Sequence, residues 1–181
     1  AYLERCHNEG IVHAEMMFDP QTHTERGIDF SVFMAGFDRA RQEAAEKWGI
    51  SSLLIMCFLR HLSQDSAIEA LEAAALHRAQ IHAVGLDSSE MEHPPKKFTE
   101  GFQLAADQGY ERVAHAGEEG PPEYIWDALD VLKVARIDHG VRCLEDPKLV
   151  KQLVTEQTPL TVCPLSNIRL SVYEQIQQHP I

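Results

Sequence analysis

Three observations predict an α/β fold of the (β/α)8 TIM-barrel type, with about six of its eight strand–helix units present. Short apolar runs alternate with amphipathic helical patterns, the signature of parallel strands joined by right-handed crossovers. No G-x-G-x-x-G or Walker A loop follows a strand, as an open nucleotide-binding sheet would require. Polar and ionisable groups stand at the C-terminal end of each successive run. An open sheet would gather them at one switch point, whereas a barrel distributes them around its catalytic face.

The elements follow in order. The chain opens on Ala1-Tyr-Leu-Glu-Arg-Cys6, which reads as the middle of a helix. Ile11–Phe18 is the first strand, with Glu15 and Asp19 at its C-terminal end. Phe33, Phe37, Ala40 and Ala44 place one apolar stripe on a helix that stops near Trp48-Gly49. Ile50–Phe58 is the second strand and leads to Arg60-His61. Ser66-x-x-Glu69 has the form of a capping box, with Ile68, Leu71 and Ala75 behind it. Ile81–Asp87 delivers Asp87-Ser88-Ser89-Glu90, and Phe98, Phe102 and Ala105 mark the next helix, closed by Gly109. Arg112–His115 is the fourth strand. Pro121-Pro122 suits a helix start, and Ile125, Leu129 and Leu132 give that helix its stripe. Arg136–His139 follows, then Asp146-Pro147 as an N-cap with proline at the first helical position. Leu160–Cys163 is the sixth strand, with Ser166-Asn167 after it. Several runs are apolar throughout, as for strands covered on both faces. No linker divides them, so residues 1–181 read as a single incomplete barrel domain. The ragged ends predict an internal piece of a longer protein.

Composition narrows the function. Of 181 residues, 44% are apolar and 24% charged, enough to bury a core without disulfides or structural metal. Sixteen basic against 28 acidic residues give a net charge of -12, which repels polyanions and argues against nucleic acid or an anionic membrane as partner. No apolar run approaches the roughly 18 residues of a membrane span. Cys6, Cys57, Cys143 and Cys163 form no C-x-x-C pair and fit reduced thiols in a cytoplasmic protein.

The most informative stretch is Arg112–Pro122. His115 closes a strand, Gly117 permits a tight turn, and Glu118 sits at a helix start, where the dipole favours a carboxylate. Histidine and glutamate at that spacing can face one pocket as metal ligand and general acid. The plainer alternative is an acidic helix start after an ordinary histidine. His139 before Gly140 can polarise a water or stabilise an oxyanion, or be satisfied by backbone groups at the rim. Gly85-Leu-Asp-Ser-Ser-Glu90 offers N–H and hydroxyl groups to a polar heterocycle, or is an ordinary strand end. Cys163 reads as a core cysteine rather than a nucleophile.

Together, the H-A-G-E of 115–118, the D-H-G of 138–140 and the C-P-L-S-N of 163–167 resemble the adenosine/adenine deaminase family of zinc-dependent amidohydrolases. The motifs come in the family's order, each at a strand end, and the resemblance covers essentially the whole chain. Gly85–Glu90, His93–Phe98 and Ala114–Pro122 look most like the adenine-acting bacterial and fungal branch. The resemblance implies a zinc ligand at His115, a general acid for purine N1 at Glu118, and His139 beside the metal-bound water. Gly85 and Ser88 are implied as substrate contacts. It implies a small purine substrate and one zinc ion per complete barrel, whose hydroxide attacks C6 and releases ammonia. Adenine to hypoxanthine is the expected reaction, adenosine to inosine the alternative, and a non-catalytic fragment a third reading. The family's first-strand H-x-H and final aspartate do not occur in this sequence. Only His115 remains as ligand, so the chain alone is expected neither to hold zinc tightly nor to deaminate.

Overall fold

Alternation of strand and helix runs the length of the computed structural model, which describes residues 1–181. The strands are β1 (His13–Phe18), β2 (Ser51–Leu59), β3 (Ala83–Asp87), β4 (Glu111–Ala116), β5 (Arg136–His139) and β6 (Leu160–Thr161). All pair in parallel, each with the next in sequence, in the order β1-β2-β3-β4-β5-β6. The order never reverses, as a doubly wound sheet's would. In a flat sheet β1 and β5 would lie about 19 Å apart, yet Arg136 of β5 forms an ion pair with Glu15 of β1. The sheet therefore curls into the wall of a partial (β/α)8 barrel.

The pleat sorts the apolar residues into two layers. Leu54, Met56 and Phe58 of β2, Val84 and Leu86 of β3, Ala114 of β4 and Ile137 of β5 belong to the main core, shared with Phe33, Leu71, Phe102, Ile125 and Leu149 of the helices. Ile55, Cys57, Ala83 and Val113 form a separate inner cluster of only four residues, too small to fill the lumen. Beside the apolar Met17 and Leu53, other lumen positions carry polar groups. Glu15 is one of them, so it lies inside β1 and facing Arg136 rather than at the strand's end.

The helices are α1 (Tyr2–Asn8), α2 (Pro20–Thr24), α3 (Phe30–Trp48), α4 (Gln64–Ala74), α5 (Thr99–Asp107), α6 (Pro122–Trp126), α7 (Pro147–Glu156) and α8 (Pro164–Arg169). α3 is capped by Asp29, which accepts from Ser31 N at 2.8 Å, and ends at left-handed Gly49. Its stripe is interrupted. Phe33 enters the main core and Ala44 a smaller cluster with Leu3, Cys6 and Ile50, leaving Ala40 exposed between them.

α4 begins earlier than the capping-box pattern predicts. Ser63 is the N-cap and accepts from Ser66 N at 3.2 Å, while Ser66 already lies in the first turn and accepts from Gln21 Nε2 at 3.0 Å. The buried face is accordingly Ala67, Ala70, Leu71 and Ala74, and Ala75 is exposed. At α7, Asp146 caps as predicted, accepting from Lys148 N at 2.8 Å ahead of Pro147. β6 is shorter than predicted because Pro164 starts α8, which makes Cys163 its N-cap. Cys163 is exposed there, not core. No helix is long and apolar enough to cross a membrane.

Candidate active site

The C-terminal ends of β4, β5 and β6 converge on one polar cluster. His115 is the penultimate residue of β4, and the chain then turns through Gly117 at φ +71. A side chain there would lie within 2.7 Å of Ile125 Cγ1, so both the backbone angle and the space require glycine. The turn brings Glu118 back over the strand end, where it is 8% exposed. His139 ends β5 with φ +69, an unusual angle for a side chain larger than glycine. Strain of this kind is stored where surrounding contacts over-determine it. Here it aims the imidazole inward, its Nδ1 3.1 Å from Glu118 Oε1.

Glu118 Oε1 is the hub. It accepts from Ser166 Oγ at 3.0 Å and Asn167 Nδ2 at 2.9 Å. Asn167 is 0% exposed, stands 3.4 Å from His139 Nδ1 through the same amide nitrogen, and accepts from His179 Nε2 through Oδ1 at 2.9 Å. The Asn167 amide is thus satisfied on both sides and locked in one orientation.

His115 faces the same space, its ring centroid 5.0 Å from that of His139. Burial depresses its pKa to about 4, against the pull of Asp138, so the imidazole is neutral across the physiological range. Asp138 Oδ1 accepts from Arg136 Nε at 2.9 Å and Thr161 Oγ1 at 2.5 Å. Asp138 Oδ2 and His115 Nδ1 are both buried without partners and lie 3.8 Å apart. A neutral, buried histidine suits a metal ligand. A catalytic zinc takes three protein ligands and an open position. No group of three ligand-type atoms in this chain includes His115.

A second group lies on the neighbouring strands. Asp19, Cys57 and Asp87 bring ligand-type atoms within 4.8 Å of one another. Burial, then the hydrogen bond and charge of Asp19, raise Asp87 to about 8, and burial pushes the Cys57 thiol up as well.

The sequence-predicted site residues are thus distributed as follows. His115, Glu118 and His139 meet in one cluster. Gly85 lies inside β3, where a Cβ would fall 2.6 Å from Cys57 Sγ on the lumen side. Ser88, at φ +74, is at the rim and bonded to His61 Nδ1 at 2.8 Å. Neither contacts Glu118 or His139. Sequence reasoning gave no role to Asn167, Asp138 or His179. Asn167 was visible as the end of C-P-L-S-N and Asp138 as the neighbour of His139, but nothing in the sequence signals His179.

A curled wall of parallel strands with a histidine–carboxylate cluster at its C-terminal rim defines a barrel of the amidohydrolase type. The match to the adenosine deaminase family extends over residues 1–181, and the chain belongs to that family. It is 59% identical over 181 residues to the adenine deaminase of Hahella chejuensis, an alignment covering 100% of this chain and 54% of that protein. The solved adenine deaminase of Arthrobacter aurescens superposes with a TM-score of 0.96 at 51% identity, covering 99% of this chain and 55% of that one. An amidohydrolase from Burkholderia ambifaria, solved with bound Zn, gives 0.92 at 28% identity, covering 99% and 51%. The chain spans about half the length of the curated relatives it matches.

Proposed function

We propose that this chain forms most of the catalytic wall of a zinc-dependent 6-aminopurine aminohydrolase, and that the whole protein converts adenine to hypoxanthine and ammonia. The observation that carries the reading is the buried Glu118 carboxylate, anchored at one oxygen by Ser166 and Asn167 and 3.1 Å from His139 Nδ1. C6 of an aromatic purine resists attack until N1 accepts a proton. With Oε1 engaged by Ser166 and Asn167, Oε2 is the oxygen left to carry that proton, a general-acid step worth about 10²–10⁴ in rate.

A proton on His139 Nδ1 faces Glu118 and leaves Nε2 as the acceptor that orients and deprotonates the attacking water. Asp138 Oδ2, 3.8 Å from His115 Nδ1, is placed to accept a hydrogen bond from Nδ1–H, a tautomer that leaves Nε2 for the metal. Zinc, when bound, supplies a water that ionises near neutral pH. Gly85 lowers the lumen wall for the purine ring, and Ser88 meets its edge from the rim. Adenine is favoured over adenosine by relatives named adenine deaminase at 55–59% identity. A cytoplasmic location belongs to the same reading, in keeping with four unpaired cysteines.

The test is chromatography of the full-length, zinc-loaded protein incubated with adenine and with adenosine. Hypoxanthine from adenine is expected, and Glu118→Gln should lower kcat about 10²–10⁴-fold with KM nearly unchanged. A protein that binds zinc and converts neither substrate overturns the reading.

A further inference from the structure

The turn that carries Glu118 is held by a residue from another strand. Glu90, in the loop after β3, is 2% exposed. Its Oε2 accepts from three consecutive backbone N–H groups, Glu118 at 3.1 Å, Glu119 at 2.9 Å and Gly120. Its Oε1 lies 3.5 Å from Nη1 of Arg60, which is 0% exposed. The same Nη1 donates to the carbonyl of His115 at 2.8 Å, and Arg60 Nε and Nη2 both donate to the carbonyl of His93, at 2.9 and 2.7 Å.

One buried ion pair therefore ties the end of β2, the loop after β3 and the turn after β4. An isolated buried carboxylate is strongly disfavoured, and only this complement of donors makes it tolerable. An apolar side chain would fill the space without that cost, but it could not grip a run of N–H groups. The fit is close on the other side too. A Cβ at position 120 would stand 2.8 Å from Glu90 Oε2 and against the Tyr124 ring. Glu90 meets the turn only through its backbone and touches neither the Glu118 carboxylate nor His139.

We propose that Glu90, backed by Arg60, is the positioning residue of the general acid: it clamps the 118–120 backbone and so sets where the Glu118 carboxylate stands relative to His115 and His139. The proposal rests on the deaminase reading above. Glu90→Gln keeps the side chain's size but removes the charge and turns an NH2 group into a site lined with donors. Glu90→Asp keeps the charge and loses one methylene of reach.

In the full-length, zinc-loaded protein, Glu90→Gln is expected to speed hydrogen exchange of the 118–120 amides about tenfold or more while the strands stay protected. It should lower kcat for adenine on the order of 10²-fold, with KM within about threefold of wild type and zinc content unchanged. Glu90→Asp should fall between the two on both measures, and it decides the matter if the glutamine variant does not fold. Unchanged exchange at 118–120 in the folded variant overturns the clamp, as does a rise in KM with kcat intact. A wild-type protein that holds zinc and leaves adenine unreacted overturns the deaminase reading, and the exchange measurement separates that failure from the clamp's own.

Discussion

Replacing Asn167 by aspartate exchanges an amide for a carboxyl of the same shape at the centre of the cluster. Asn167 is fully buried, and its Nδ2 lies 2.9 Å from Glu118 Oε1. An ionised aspartate would set two carboxylate oxygens at that 2.9 Å separation, where an effective dielectric near 20 gives a repulsion of about 6 kcal/mol. That corresponds to about four pK units, so the pair retains a proton well above the usual carboxylate range.

The folded pKa of the pair is then raised above its unfolded value. Stability is kept at acid pH and lost as pH rises through the folded pKa. Relative to wild type, the loss should deepen by about 1.4 kcal/mol per pH unit, or about 4 kcal/mol between pH 5 and pH 8. Urea denaturation followed by tryptophan fluorescence at each pH unit measures it. A loss that is constant across this range would show that residue 167 and Glu118 do not share a buried hydrogen bond.

Two further outcomes follow from the same structure. Metal analysis of the 181-residue chain, purified with excess zinc and then dialysed, should find well under one zinc per chain and no hypoxanthine from adenine, on the proposal that His115 is its one ligand at the cluster; stoichiometric zinc would refute the ligand count. Asp87, raised from 3.8 to about 8, binds a proton in the folded chain that the unfolded chain releases. Stability should therefore fall as pH rises from about 4 to 8, and Asp87→Asn should flatten the slope, gaining on wild type at pH 8 more than at pH 5. Equal slopes in urea titrations would count against a buried, protonated Asp87.

The strands were legible because parallel strands covered on both faces are written as apolar runs, and Pro122 and Pro147 announce helix starts through their fixed φ. Boundaries were less so. Ser63 and Ser66 are equally good caps in isolation, and only the bond from Gln21, 45 residues away, shows Ser66 to be inside the helix. Glu15 reads as a rim residue until the sheet's curl sets it against Arg136. His115, Glu118 and His139 stood out because each sits beside a glycine or at a strand end. Glu90 looked like one more loop acid. Its partners are backbone N–H groups about 30 residues on, and backbone groups leave no mark in a sequence. His179 reaches Asn167 by the path of the last segment, which no local pattern encodes.

The unbroken strand order has a bearing on how the molecule comes into being. Each strand pairs with the one synthesised just before it, over separations of 38 residues between His13 and Ser51 and 23 between Ile137 and Leu160. The wall can be laid down strand by strand as the chain leaves the ribosome, at a loop-closure cost that grows only slowly with span. The Glu15–Arg136 pair is different, for it joins residues 121 apart. It cannot form until β5 has been made, and it is the contact that registers curvature. Until then the wall holds together through neighbour pairing alone, with no contact reaching across it from β1 to β5.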